Sequence, residues 1–372
     1  MPDGFLGPGE GRLTPQPLAP ARWDWSQARR VLVVRLRSIG DTVLATPALH
    51  ALRRFLPQAR IDVLLEDWVA PVLDGLPDVD RVWTVARRGG TAARLCVARA
   101  LRRERYDVAY NLHGGTTATL LMRAAGARRR VGFDTYQYQS LLTDAAPPSA
   151  QLWGRTPTHS AEQQLALVGW TGVPVTDRPR SRLAVCESAV ASLSAKLAAR
   201  DFPLGRPFAL IHPAAAFATK QWSAENFARI AEMLHEQGLR PFAIAAPQET
   251  PVLRAVQSAA RVTVAGATDL TLPEVTALAS RARIFVGNDS GLAHLAAARQ
   301  TPQVVIFGSS NTAHWRPWTD APHEIVREYL PCQPCPGYEC REFGTPECIR
   351  RVSVAQVCAA LERVLASVNG QD

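Results

Sequence analysis

What this chain lacks most plainly is a long apolar run. No stretch of its 372 residues approaches the roughly 20 apolar residues that a membrane-spanning helix needs. Its first residues, MPDGFLGPGEGRLTPQPLAPARWDW, also lack the basic-then-apolar order of a secretory signal. The expectation is a soluble cytoplasmic protein that starts with a mobile, Pro- and Gly-rich arm over residues 1–28. Base-reading signatures are missing too: no helix-turn-helix, RNA-binding sheet motif or aromatic-interleaved basic stripe accompanies the positive charge. No nucleic-acid partner is therefore expected, despite a formal net charge of +9. Lysine is scarce and Arg supplies nearly all of that charge, with Arg53, Arg54, Arg87, Arg88, Arg102, Arg103 and the triplet Arg128, Arg129, Arg130 all in the first half. An anionic glycolipid at a membrane surface suits such a distribution.

What the chain has is a repeated strand, turn, helix plan. Residues 283–308 read RIFVGNDSGLAHLAAARQTPQVVIFG: an apolar strand, a polar turn through Asp289, Ser290 and Gly291, a helix carrying His294, and a second strand. In such a βαβ unit the turn presents bare backbone N–H groups and a helix dipole to an anion, so a phosphate-bearing ligand is expected there. N-capping by Asp289 or Ser290, with His294 as a packed core residue, is the structural alternative. Residues 30–37 (RVLVVRLR) and the turn through Ser38, Gly40 and Asp41 open the first half in the same way. Further short strands over 61–65, 82–85, 108–112 and 130–133 alternate with helices, which predicts a doubly wound parallel sheet. Residues 136–157 read as irregular. After a Pro-rich connection the pattern restarts at 208–212, with strands at 241–245 and near 262–264, and closes with an amphipathic helix over 354–367. Two α/β halves with a cleft between them follow, divided as arm 1–28, first domain 29–185, helix and linker 186–207, second domain 208–352, and helix and tail 353–372.

Three polar residues stand at predicted strand ends where chemistry is done. Lys220, in the turn after strand 208–212, can neutralise a diphosphate together with the helix start at Ser290. Asp41 follows a Gly at the end of the first strand and can accept a proton from a hydroxyl. Glu249, in the turn after strand 241–245, is placed to accept hydrogen bonds from a ribose; a surface Lys, an N-capping Asp and a solvated loop Glu are the respective alternatives. Of the seven Cys, Cys96, Cys186 and Cys358 read as core residues. Cys332, Cys335, Cys340 and Cys348 crowd into the loop 332–348 with spacing C-x2-C-x4-C-x7-C, which can enclose a structural zinc or iron. Reduced thiols merely packed in a loop are the alternative.

Several motifs together resemble glycosyltransferase family 9, the ADP-heptose:lipopolysaccharide heptosyltransferases. They are VLVVRLRSIGDTVLATPALHALRRFLP, NLHGG with ARRRVG, HPAAAFATKQWSAENFARIAEML, VGNDSGLAHLAAA followed by TPQVVIFGSS and HWRPW, and RVSVAQVCAAL after the Cys segment. They follow the family's order over most of the chain. The resemblance implies a GT-B fold, two Rossmann-like domains of which the first binds the acceptor and the second the nucleotide sugar. It implies an inverting, metal-independent transferase that needs no cofactor for catalysis, with ADP-heptose or a related nucleotide sugar as donor and a lipopolysaccharide inner core as acceptor. Contact with the inner face of the inner membrane would go with that acceptor. Carried over by position, Asp41 resembles the general base, Lys220 the diphosphate-binding residue, and Asp289, Ser290, Gly291 and His294 the donor-site turn. Glu249 lies near the ribose-contacting position, and Ser38, Gly40, Arg128, Arg129 and Arg130 fall on the acceptor side. A heptosyltransferase acting on a protein, and a non-catalytic nucleotide- or glycan-binding member, remain alternatives within the resemblance.

Overall fold

The computed structural model describes residues 14–335 and 338–370. Twelve strands among these residues form two six-stranded sheets in which every pairing is parallel. The first holds β1 (Arg30–Val34), β2 (Arg60–Glu66), β3 (Arg81–Val85), β4 (Val108–Asn111), β5 (Arg129–Phe133) and β6 (Asp144–Ala146), in the order 3-2-1-4-5-6. The second holds β7 (Phe208–His212), β8 (Arg240–Ile244), β9 (Ala265–Ala267), β10 (Ile284–Asn288), β11 (Gln303–Phe307) and β12 (His323–Arg327), in the order 9-8-7-10-11-12. The two orders are the same winding. Each reverses direction beside its first strand, and the crevice beyond the carboxyl ends of the strands at such a point is where ligands bind.

Helices cover both faces of both sheets, which is why the central strands are apolar without alternation. Val31 and Val33 of β1 enter one buried cluster with Leu49 and Leu52, while Leu32 and Val34 enter another with Leu101 and Met122. In β7, Phe208 and Leu210 join the first of these clusters, and Ala209 and Ile211 a third with Phe227 and Leu361. The first cluster thus runs from one lobe into the other. The result is the GT-B arrangement, two Rossmann-like lobes facing across a cleft.

Several expectations are revised. The segment 14–28 is not a mobile arm, because backbone and indole hydrogen bonds lay it along the first lobe: Leu18 N donates to Gly169 O at 3.1 Å, Val175 N to Gln16 O at 2.9 Å, and Trp25 Nε1 to Thr171 O at 2.9 Å. Residues 1–13 of that arm lie outside the described residues. Within 136–157, read as irregular, Asp144–Ala146 pairs with β5 and Ser149–Trp153 is a helix. Edge strand β12, with sequence HEIVR, carries too many polar residues for a periodicity signal. The linker helix Glu187–Ala198 is docked on the second lobe, since Ser192 Oγ and Lys196 Nζ donate to the Glu274 carboxylate at 2.6 and 2.8 Å. Cys96 is exposed rather than packed, and Cys186 and Cys358 are half-buried. No helix among the described residues is long and apolar enough to cross a membrane.

Candidate active site

The first lobe brings its site residues to the cleft through a capping box. Ser38 precedes the short helix Ile39–Val43. Its backbone N–H and its Oγ both donate to Oδ2 of Asp41, at 3.1 and 2.8 Å, so Asp41 ties the turn while its other oxygen, Oδ1, meets the guanidinium of Arg35. Burial acts to raise the Asp41 pKa. The Arg35 charge and the two Ser38 hydrogen bonds overcome it and hold the carboxyl below its ordinary value. Asp41 is therefore a carboxylate at neutral pH.

The second lobe answers with two turns held together by Asn288, which is fully buried. Its amide donates to Pro213 O at 2.8 Å and its Oδ1 accepts from Trp222 N at 3.1 Å, so the end of β10 grips the long loop after β7. That grip sets Lys220 against Asp289: Lys220 Nζ donates to Asp289 Oδ2 at 2.7 Å, and Ser310 Oγ donates to the same oxygen at 2.6 Å. Ser290 stands at the N-cap of helix Gly291–Ala298, but its side chain makes no capping hydrogen bond. Its Oγ lies 3.1 Å from His212 Nδ1 instead. The first N–H groups of that helix are left to face the cleft, where an anion can take them.

Both sets of residues line one cavity of about 520 Å³. Ser38, Gly40 and Asp41 form its first-lobe wall, and Lys220, Glu249, Asp289, Ser290, Gly291 and His294 its second-lobe wall. The lobes touch where the two turns meet. A Cβ on Gly40 would lie 2.7 Å from the His294 ring, and one on Gly291 would lie 2.9 Å from Ile39 Cβ. Only glycine lets these backbones approach so closely. His294, 5% exposed, has an Nδ1 with no partner among the described residues. Burial lowers its pKa more than Asp289 and Asp41 raise it, so the ring is neutral. His212 is pushed down to about 4 by burial. Glu249 accepts from Ala246 N at 2.8 Å and lies 4.0 Å from His212 Nε2.

A second cavity of about 180 Å³ opens on the far side of Asp41. Arg35, His113, Tyr136 and Gln164 line it from the first lobe, His314 and Trp315 from the second. The two second-lobe residues reach it because His314 Nδ1 contacts Thr158 O at 3.0 Å, while Trp318 donates to Pro179 O at 2.9 Å and stacks on His159.

One expected placement is corrected. Arg128, Arg129 and Arg130 do not face the acceptor side of the cleft. They stand at the amino end of β5, opposite the ligand-binding edge, where Arg130 donates to Leu141 O and Ala127 O and Arg129 lies over the Trp23 ring. No group of three or more metal-ligating side chains is found at the Cys segment among the described residues. Cys332, Cys335 and Cys340 line a surface cavity, while Cys348 is buried at the start of the short helix Glu347–Arg350. Burial first, then the three nearby sulfurs, push the Cys348 thiol up, and no three His, Cys, Asp or Glu side chains among the described residues are grouped to share an ion. The sequence does not single out Arg35, His113, Gln164 or Ser310, and marks Asn288 only as part of the polar turn before helix Gly291–Ala298. The available signals were a lone basic residue ending an apolar strand, and polar residues at the ends of β4 and β10.

Comparison with known proteins agrees with this geometry. The family described as glycosyltransferase family 9 (heptosyltransferase) matches residues 94–345. The lipopolysaccharide heptosyltransferase 3 of Escherichia coli is 26% identical over 311 residues, which cover 77% of this chain and 85% of that protein. Among solved structures, a family 9 glycosyltransferase from Veillonella parvula superposes with a TM-score of 0.83 at 20% identity, covering 94% of this chain and 99% of that one. The ADP-heptose lps heptosyltransferase II of E. coli gives a TM-score of 0.77 at 22% identity, covering 91% and 99%. A match over more than half of the chain, on a fold with the same two-lobed cleft, makes this protein an enzyme of glycosyltransferase family 9.

Proposed function

We propose that the protein transfers a heptose from ADP-heptose to a hydroxyl of a lipopolysaccharide inner core, with inversion and without a metal ion. The observation that carries this reading is the position of Asp41 in the wall shared by the two cavities. The larger cavity suits a nucleotide sugar and the smaller one an acceptor sugar, so the carboxylate stands where a hydroxyl would meet the anomeric carbon. Asp41 takes the hydroxyl proton as the new C–O bond forms, and the bond from the anomeric carbon to the β-phosphate oxygen breaks with its electron pair leaving on ADP. Lys220 and the uncapped start of helix Gly291–Ala298 stabilise that developing charge. Attack from the Asp41 side, opposite the departing diphosphate, inverts the anomeric centre. Two positive elements already face the diphosphate, and the Asp289 carboxylate is engaged by Lys220 and Ser310, so the protein itself supplies the work a cation would do. Apolar Leu270, Leu272 and Val275 near Glu249 offer a seat for the base, with Glu249 toward the ribose.

The acceptor lies at a membrane, and the first lobe has a face that suits one. Leu95 and Leu120 are 49% and 51% exposed on the adjoining helices Thr91–Arg103 and Thr116–Ala125, with exposed Arg94, Arg99, Arg102, Arg103 and Arg123 around them. Apolar tips within a basic field favour an anionic bilayer surface.

The test is incubation with ADP-heptose and truncated lipopolysaccharides, read by mass spectrometry. Transfer should occur with the wild type and be abolished in Asp41→Ala, with ADP affinity kept within a few-fold. Unchanged turnover in Asp41→Ala would remove the proposed base.

A further inference from the structure

Asp41 has three partners in this structure. Oδ2 accepts from Ser38 N and Ser38 Oγ, and Oδ1 is paired with Arg35 Nη2. One lone pair of Oδ1 stays open, but a guanidinium on the same oxygen lowers the carboxylate's proton affinity, so moving that cation away would make Asp41 a stronger base. Ser38 belongs to the same turn and cannot leave without undoing the capping box. Arg35 is the partner on a long side chain: its Nη1 donates to Leu112 O, while its Nε is buried with no hydrogen-bond partner among the described residues.

The cavity around Arg35 is built to hold a polar guest. Gln164 is 4% exposed, yet neither its amide nitrogen nor its amide oxygen has a partner among the described residues, and the same is true of His113 Nδ1. Both line the cavity with Arg35, and Asp41 is its sole lining carboxylate. Buried polar atoms left in this condition are costly unless a ligand satisfies them. A sugar offers hydroxyls to Gln164 and His113, and an anionic substituent on it would offer Arg35 a second carboxylate-like fork.

We propose that an anionic group on the acceptor sugar, a carboxylate or a phosphate, draws the Arg35 guanidinium away from Asp41 and thereby releases Oδ1 to accept the proton of the neighbouring hydroxyl. The inference rests on the transferase reading above. It makes the anion a requirement of the chemical step and not only of affinity. An acceptor without the anion would bind beside a base that Arg35 still weakens.

The experiment uses the full chain, ADP-heptose and matched acceptor pairs: one sugar with its carboxylate intact or reduced to the alcohol, and one phosphorylated or dephosphorylated. kcat and KM are measured separately from ADP release. With the wild type, the pair that matters should lose about 100-fold in kcat when the anion is removed, as expected when an interaction of the reacting state is lost. Which pair responds identifies carboxylate or phosphate. Arg35→Ala should bring the two members of that pair within about 3-fold of each other in kcat and raise turnover of the neutral member above the wild type's, whereas Arg35→Lys should keep part of the discrimination. A wild type that turns over both members of each pair with equal kcat and differs only in KM overturns the exchange while leaving the transfer reading in place. Undiminished discrimination in Arg35→Ala does the same. No transfer to any acceptor overturns both.

Discussion

Replacing Lys220 by Met separates the ion pair seen in the structure from the catalytic role proposed for the same ammonium group. Its first role is as counter-ion to Asp289, at 2.7 Å. The Asp289 side chain is 5% exposed and that of Lys220 24%, so Lys220→Met leaves a buried carboxylate with Ser310 Oγ as its remaining side-chain donor. Breaking a buried pair in this way costs about 3–5 kcal/mol. Because the lysine end is a quarter exposed and water can reach it, a value of about 2–3 kcal/mol is more suitable. For a lobe of this size that is a fall in Tm of roughly 4–10 °C. The proposed second role is neutralising the departing diphosphate, and losing a donor of this type would slow turnover about 100- to 1,000-fold. Adding Asp289→Asn distinguishes the roles, because it removes the stranded charge without restoring the cation. Calorimetry of Lys220→Met and of the double variant, with transfer rates at saturating donor, gives the answer. The single variant should melt early and turn over slowly, while the double should recover most of the Tm and none of the rate. A double variant with near-wild-type turnover would refute the reasoning, since Lys220 would then serve only Asp289.

Two further outcomes follow from the geometry. Burial raises and Arg35 with Ser38 more strongly lowers the Asp41 pKa, so its folded value lies below the unfolded one. The stabilisation from ionised Asp41 is complete above the ordinary carboxylate pKa and is lost as pH falls through the folded value. The acid limb of kcat/KM should accordingly fall below the ordinary carboxylate range, with His294, His113 and His314 all held neutral by burial and adding no limb near pH 6.5. A pH profile with a limb near 6.5 would contradict that assignment. Gly291→Ala puts a methyl 2.9 Å from Ile39 Cβ and 3.2 Å from Gly40 N, so it should cost about 1–3 kcal/mol of stability and reduce transfer by wedging the lobes apart. Wild-type melting and wild-type KM for donor would show that the two turns do not meet as described.

How far the sequence could be read depended on whether a signal was local. β1, β7 and β10 are buried on both faces, so continuous apolar runs marked them, and the turn after each ends in residues with few alternative uses. Lys220, Asp41 and Ser290 could be singled out because each follows such a strand. Arg128, Arg129 and Arg130 misled because three adjacent charges are conspicuous in a sequence, while their place at the amino end of β5 depends on which end of a parallel strand faces the cleft. Arg35 was overlooked for the opposite reason. One Arg at the carboxyl end of β1 is unremarkable until the fold sets it beside Asp41, six residues on and across a turn. The packing of residues 14–28 against helix Ser160–Gly169 and the stretch after it was illegible, because a Pro-rich segment with a few Trp reads as loose until its partner is known.

The two ion pairs at the cleft obey one electrostatic rule. Two carboxylates facing the cavities each have their own cation, Arg35 for Asp41 and Lys220 for Asp289, and each cation lies where the proposed substrates would bring a negative charge. A diphosphate arriving at the start of helix Gly291–Ala298 competes with Asp289 for Lys220, as an acceptor anion competes with Asp41 for Arg35. The consequences differ because the surroundings differ. Asp289 keeps Ser310 Oγ and a backbone anchor through its own N–H to Ile306 O at 3.0 Å, so it can share Lys220 without becoming basic. Asp41 keeps only the Ser38 donors of its own turn, both on Oδ2, so loss of Arg35 exposes Oδ1 and raises its proton affinity. The same kind of exchange therefore leaves a structural carboxylate on the donor side and makes a base on the acceptor side. Between them the buried, neutral ring of His294 packs against Gly40, fixing the spacing of the two pairs without adding a charge that would couple them.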